Sequence, residues 1–189
     1  NTILLSFCMK ITILSILTVC LCKTMLSAQQ SNLRWIELNP EGTTAVEGNL
    51  TEGVDMPDLS WAWNSAVACF PATQASKFTG KHVLYALELP AYTELEIDLI
   101  PADKSANFSL YAYEVGTISE SNTVPTLSQC IRCEADHKWD YKVKGKTQDH
   151  TRHVRDILAI ANPYQVIIGV VGADGLKEGA YRLEVRRKG

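Results

Sequence analysis

Glu94-Leu95-Glu96-Ile97-Asp98-Leu99 alternates carboxylate and aliphatic side chains without a break. In a strand, successive side chains point to opposite faces, so this segment has one apolar face and one acidic face. Pro90 and Pro101 bracket it, where proline ends a ladder without removing an interior hydrogen bond. The period of two recurs on either side. Val83, Tyr85, Leu87 and Leu89 alternate with His82, Ala86 and Glu88, and Phe108, Leu110 and Ala112 alternate with Ser109, Tyr111 and Tyr113. Tyr181, Leu183 and Val185 alternate with Arg182, Glu184 and Arg186. Residues 157–161 form a short apolar run, and 164–171 are apolar on both faces, as in a central strand covered on both sides. Gly172-Ala173-Asp174-Gly175 and Glu178-Gly179 supply the turn between the last two strands. These six strands, with no convincing helical period anywhere, predict an all-β fold. The expected architecture is an antiparallel, jelly-roll-like β-sandwich with one long loop insertion over 116–155.

The chain has 189 residues, 46% hydrophobic and 21% charged, which excludes collagen-like and wholly disordered classes. A net charge of −3 without a long basic run argues against nucleic acid as a partner. Residues 1–28 contain no Asp or Glu; Lys10 precedes an apolar run over 11–22, and Met25-Leu26-Ser27-Ala28 offers a small-residue cleavage point. This reads as a signal peptide starting at Met9, too short for a comfortable membrane span. A lipobox-like Leu17-Thr18-Val19-Cys20 is the competing reading. The expected location is secreted or cell-surface, with no transmembrane segment in the mature chain. Without 1–28, the chain carries 16 Lys and Arg against 21 Asp and Glu, a charge of −5. Residues 29–68 are turn-rich and read as a loosely structured N-terminal extension. Trp61-Ala62-Trp63 marks the approach to the sandwich domain over 69–189.

The second half of the long insertion is basic: Arg132, Lys138, Lys142, Lys144, Lys146, Arg152 and Arg155 face only Glu134, Asp136, Asp140 and Asp149. Trp139 and Tyr141 lie within it. Cations interleaved with aromatics suit an anionic partner, such as an acidic glycan or surface polymer, so Trp139, Tyr141, Lys142, Lys144 and Lys146 are the candidate ligand-binding residues. Trp61, Trp63, Tyr111 and Tyr113 are further aromatics that either stack on sugars or pack in the core. Cys130-x-x-Cys133 is a candidate disulfide in an exported chain; one of the two could instead pair with Cys69. Cys130, Cys133, His150 and His153, with His137 as a spare, form the alternative reading, a zinc-binding set. Ser65, His82 and Asp98 supply the residue types of a hydrolytic triad, but no Gly-x-Ser-x-Gly elbow accompanies them, and no phosphate cradle is present. A non-enzyme without a cofactor is expected.

Tyr85-Ala86-Leu87-Glu88-Leu89, Asn107-Phe108-Ser109-Leu110-Tyr111, the Cys130–Cys133 loop, Tyr164-Gln165-Val166-Ile167-Ile168-Gly169 and the closing Gly179-Ala180-Tyr181-Arg182-Leu183-Glu184-Val185 follow one another in a telling order. Over roughly 69–187 this pattern resembles the bacterial pre-peptidase C-terminal domain, a β-sandwich appended to secreted proteins. Asn107 and Ser109 stand where that family often has acidic residues, and the 116–155 insertion is longer than usual. The resemblance implies a non-catalytic module for secretion, surface attachment, or glycan or protein contact. Some relatives bind calcium, for which Asp98, Asp103, Asp174 and Glu178 lie at strand ends or turns.

Overall fold

The computed structural model describes residues 33–188; the signal peptide expected over 1–28 lies outside them. Ten strands occur among the described residues: β1 (Leu33–Trp35), β2 (Thr43–Asn49), β3 (Val54–Asp55), β4 (Lys81–Leu89), β5 (Thr93–Pro101), β6 (Phe108–Val115), β7 (Arg132–Asp136), β8 (Arg152–Ala159), β9 (Tyr164–Gly172) and β10 (Ala180–Lys188). The first sheet has the order β1-β4-β9-β6-β7, with β3 also on β4; the second has the order β2-β10-β5-β8. β1 runs parallel to β4, and every other pairing is antiparallel. The chain is therefore an all-β sandwich, as the period of two predicts.

Between the sheets, Val83, Tyr85 and Leu87 of β4, Val166, Ile168 and Val170 of β9, and Phe108 and Leu110 of β6 meet Leu95, Ile97 and Leu99 of β5 and Leu183 and Val185 of β10. These are the apolar sets of the alternating strands, and their burial drives the two sheets together. The phenols of Tyr85 and Tyr181 bond to each other at 2.9 Å, so neither hydroxyl is stranded in the core.

The lead-in over 29–68 needs correction. Its described part is woven into both sheets: β1 pairs with β4, and β2 pairs with β10 along its whole length. Leu50, Trp61 and Ala62 are buried, and the compact unit begins at Leu33 rather than at residue 69. β1 and β3 are too short to show a period. β2 offers Thr44, Val46 and Gly48 on its half-buried side, which is too little apolar character to read as a strand. The 116–155 interruption also holds β7 and the first half of β8, so the segment without strands between them is 137–151.

A third layer covers the outer face of the first sheet. Met56, Leu59, Trp61, Phe70 and Phe78, from an irregular segment with two short 3-10 turns, pack with Val124 and Leu127 onto Leu84, Tyr111, Tyr113, Ile167 and Val171. This explains why β9 is apolar on both faces. Phe70 and Phe78 stack at 3.8 Å, and Trp61 leans on Tyr111. His82 lies beneath this cover, bonded to Tyr111 Oη at 3.2 Å and to the Phe78 carbonyl at 2.9 Å. A neutral ring that donates from Nε2 and accepts at Nδ1 satisfies both contacts. Burial pushes its imidazole down to about 4.

Glu114 of β6 is almost fully buried, and neither carboxylate oxygen has a hydrogen-bond partner. Burial raises its pKa above the usual carboxylate range. A raised folded-state value makes the ionised group a cost that is absent below the unfolded value and grows as pH rises through the folded one. Glu114→Met, of similar volume, is expected to stabilise the protein by about 1–2 kcal/mol at pH 7. That gain should vanish below about pH 4. Urea titrations of both proteins at the two pH values test this, and an equal gain at both would rule out charge burial as the cause.

Candidate functional site

The 137–151 loop leaves β7 at Asp136 and enters β8 at Arg152. Its two roots are joined: the His153 amide donates to Asp136 Oδ2 at 2.8 Å. Arg152 anchors the second root from inside. Its guanidinium is buried and donates to the carbonyls of Phe108 (2.7 Å) and Thr151 (3.0 Å), to Asn107 Oδ1 (3.3 Å), and to His150 Nδ1 (3.0 Å). Accepting that bond requires an unprotonated His150 Nδ1. Burial, then Arg152 and Lys138, hold the His150 imidazole below its usual range. At the first root His137 packs edge-on against Phe78. Its imidazole is likewise lowered, first by burial. Nearer the tip, Asp140 takes an ion pair from Lys77 at 2.8 Å and a bond from Gln74 at 3.4 Å, docking the loop on the covering layer.

Beyond these anchors the loop is open. Tyr141 is 86% exposed, and Trp139 and Val143 are also exposed. Lys138, Lys142, Lys144 and Lys146 are all exposed, and none has an ion-pair partner among the described residues. All five predicted ligand residues, Trp139, Tyr141, Lys142, Lys144 and Lys146, thus share one excursion. The other cations of the basic run have internal duties. Arg152 is buried, Arg155 pairs with Glu96 and Asp98, and Arg132 lies within salt-bridge reach of Glu134.

The disulfide expected between Cys130 and Cys133 is corrected. Cys69 pairs with Cys133, with Cα atoms 5.0 Å apart, and Cys130 remains a half-buried thiol. β7 lays Cys133 beside the covering layer that carries Cys69, a proximity that sequence spacing could not show. The zinc set fails for the same reason, because Cys133 is already bonded. In addition, His150 serves Arg152, and His153 bonds Asp98 on the second sheet at 2.8 Å. Among the described residues no group of three or more His, Cys, Asp or Glu is arranged to hold a metal.

Three of the four proposed calcium ligands, Asp103, Asp174 and Glu178, line one cleft of about 760 Å³, while Asp98 lies elsewhere in the Arg155–Arg186 ion-pair network. Two of the cleft's three carboxylates are engaged locally: Asp103 accepts from the Ser105 amide and hydroxyl, and Asp174 from Asn107 Nδ2. Ser65, His82 and Asp98 are dispersed: Ser65 is exposed, His82 sits under the covering layer, and Asp98 belongs to the other sheet. Trp61, Tyr111 and Tyr113 are core residues, and Trp63 is exposed. The role of Arg152 was not read from the sequence. Its one visible signal is its even spacing from Val154, which places it on the inward side of β8.

The two packed sheets, antiparallel apart from the β1–β4 pair, define the chain as an all-β sandwich. No family profile matches it, and no curated protein does. Among solved structures, the chain is similar to the g-type lysozyme inhibitor PliG of Aeromonas hydrophila, a periplasmic protein. The identity is 10% over 83% of this chain and 96% of that one, with a TM-score of 0.42. It is also similar to the pre-peptidase C-terminal domain of a Bacillus anthracis collagenase, at 11% identity over 82% and 94% of the two chains, with a TM-score of 0.40. A third is CorA, a surface-associated copper-binding protein of Methylomicrobium album BG8, at 11% identity over 82% and 96%, with a TM-score of 0.44. What each of them binds is a property of that protein.

Proposed function

We propose that this chain is an exported, non-catalytic binding module whose 137–151 loop attaches it to an acidic glycan or surface polymer. The observation that carries this reading is the loop's division of labour. Its acidic and buried basic groups hold it to the sandwich, while four unpaired lysines and two exposed aromatics face solvent. Unpaired cations on a fixed frame attract polyanions at little ordering cost, and an exposed Trp or Tyr face stacks on a sugar ring. The Cys69–Cys133 bond supports export, because disulfides persist in oxidising compartments. The dispersal of Ser65, His82 and Asp98 supports a role without catalysis.

Replacing Lys142, Lys144 and Lys146 together with alanine is expected to weaken binding to a sulfated or uronic-acid polysaccharide by about tenfold or more. That is about 0.5–1 kcal/mol for each exposed charge. The wild-type affinity should fall steeply between about 50 and 200 mM salt, and the triple variant should be much less salt-sensitive. Calorimetry on a panel of acidic and neutral glycans checks this. Unchanged binding across the acidic panel would sink the proposal.

A further inference from the structure

The second sheet ends on one side at β2, and the direction of that strand's hydrogen bonds can be read out. The Leu50 amide donates to the Gly179 carbonyl at 3.0 Å, continuing the register that sets Asn49 opposite Ala180. In an antiparallel ladder, bonded pairs alternate with unbonded ones. Gly48, Val46 and Thr44 therefore turn their backbone groups toward β10. Thr43, Ala45 and Glu47 turn theirs away, and these three are the exposed residues of the strand. No strand lies beyond them among the described residues.

The other edges are guarded. β8 carries an irregularity opposite Leu95–Ile97 and a left-handed Asp156, and its His153 amide is taken by Asp136. β7 provides that same aspartate, and β1 and β3 are three and two residues long. Short, bulged or charge-capped edges are the usual protections against pairing. β2 has only one of them, the charge of Glu47, and Arg182 of the neighbouring β10 pairs with it at 3.2 Å. The strand is seven residues long, without proline, lysine or bulge, and Thr43, Thr44 and Val46 are β-branched.

We propose that β2 is a pairing edge and that its occupant is a second copy of this chain, joined antiparallel across a two-fold axis to make one continuous sheet. The charge pattern fits a self-pair. Glu47 is the only charged residue in the strand. With the axis at Ala45 it faces the partner's Thr43, and with the axis at Val46 it faces the partner's Ala45. Neither register brings the two carboxylates together, and like charges directly opposite are what destabilise a strand pair. An isologous contact also closes on itself, so it gives a dimer and not a fibre.

The experiment is sedimentation velocity on the full chain from about 1 to about 100 µM, with two variants. Ala45→Pro removes one outward amide and leaves the β10 ladder intact. Ala45→Glu sets the new carboxylate opposite its symmetry mate in one register and opposite the partner's Glu47 in the other. The expected result is a monomer–dimer equilibrium in that range, weakened at least about tenfold by both variants while their melting temperatures stay within a few degrees of wild type. A monomer throughout, or dimerisation that neither variant weakens, overturns the proposal. Amide exchange gives an independent reading. Thr43, Ala45 and Glu47 should exchange fast when dilute and slowly when concentrated. Protection at every dilution would mean that another part of the chain covers the edge, and that also overturns the proposal.

Discussion

Replacing Cys69 with serine is expected to lower the unfolding free energy by about 4 kcal/mol at 25 °C, the figure that loop-closure entropy gives for the cross-link. The bond joins residues 64 apart in sequence. In the unfolded chain it closes a loop holding β4, β5 and β6, so its loss frees a large ensemble. In the folded chain it ties the covering layer to β7. That layer is irregular, and its grip on the sheet comes from a few large side chains such as Trp61, Phe70 and Phe78. The control is Cys130→Ser. Cys130 is unbonded, and burial pushes its thiol up to about 11, so at neutral pH it is a protonated thiol packed beside the covering layer. Its substitution is expected to cost less than about 1 kcal/mol. Urea unfolding of the two variants, followed by tryptophan fluorescence, separates them. Equal losses would mean that the pairing is not selective for Cys69 and Cys133. A loss below about 1 kcal/mol for Cys69→Ser would mean that the covering layer holds without its pin.

What the sequence showed and what it hid divide along a physical line. Leu95, Ile97 and Leu99 announce β5 because one side of that strand meets the core and the other is carboxylate, where Glu96 and Asp98 pair with cations from neighbouring strands. β2 has the same alternation in space without the apolar signal. Thr44 and Gly48 fill its inward side, since Tyr85 and Tyr181 occupy the space a larger side chain at residue 48 would need. The covering layer was hidden for another reason. Its residues follow no period, so their contribution depends on where the chain is held, not on how it repeats. The lysines of the 137–151 loop were legible because exposure is the ordinary state of lysine. Arg152 was grouped with them wrongly, because composition does not distinguish a solvated cation from one that ties Phe108, Asn107 and His150 together.

Gly169→Ala is expected to cost about 3 kcal/mol, by adding a single methyl group in the middle of β9. Glycine weakens a strand interior, so its presence there points to a close approach by something else. In this chain the approach is made by Tyr111. Gly169 lies between Leu84 of β4 and Tyr111 of β6, and the Tyr111 ring reaches across it toward His82. A Cβ at residue 169 would sit 2.1 Å from Tyr111 Cζ and 2.4 Å from Cε1, far inside contact distance. The ring has nowhere to retreat. It is fully buried, Trp61 and Phe78 press on it from the covering layer, Tyr113 stacks alongside, and its hydroxyl is held by His82. Overpacking of this kind displaces neighbours at a cost of about 1–3 kcal/mol, and the upper end applies where no neighbour can yield. The mechanism predicts a specific rescue. In a Tyr111→Leu background the ring is gone, and Gly169→Ala should then cost at least about 1 kcal/mol less than it does in the wild type. Urea titrations of the two single variants and the double variant close that cycle. If the costs simply add, the glycine is there for the backbone of β9 and not for Tyr111, and the contact between the sheet and its covering layer must be assigned to other residues.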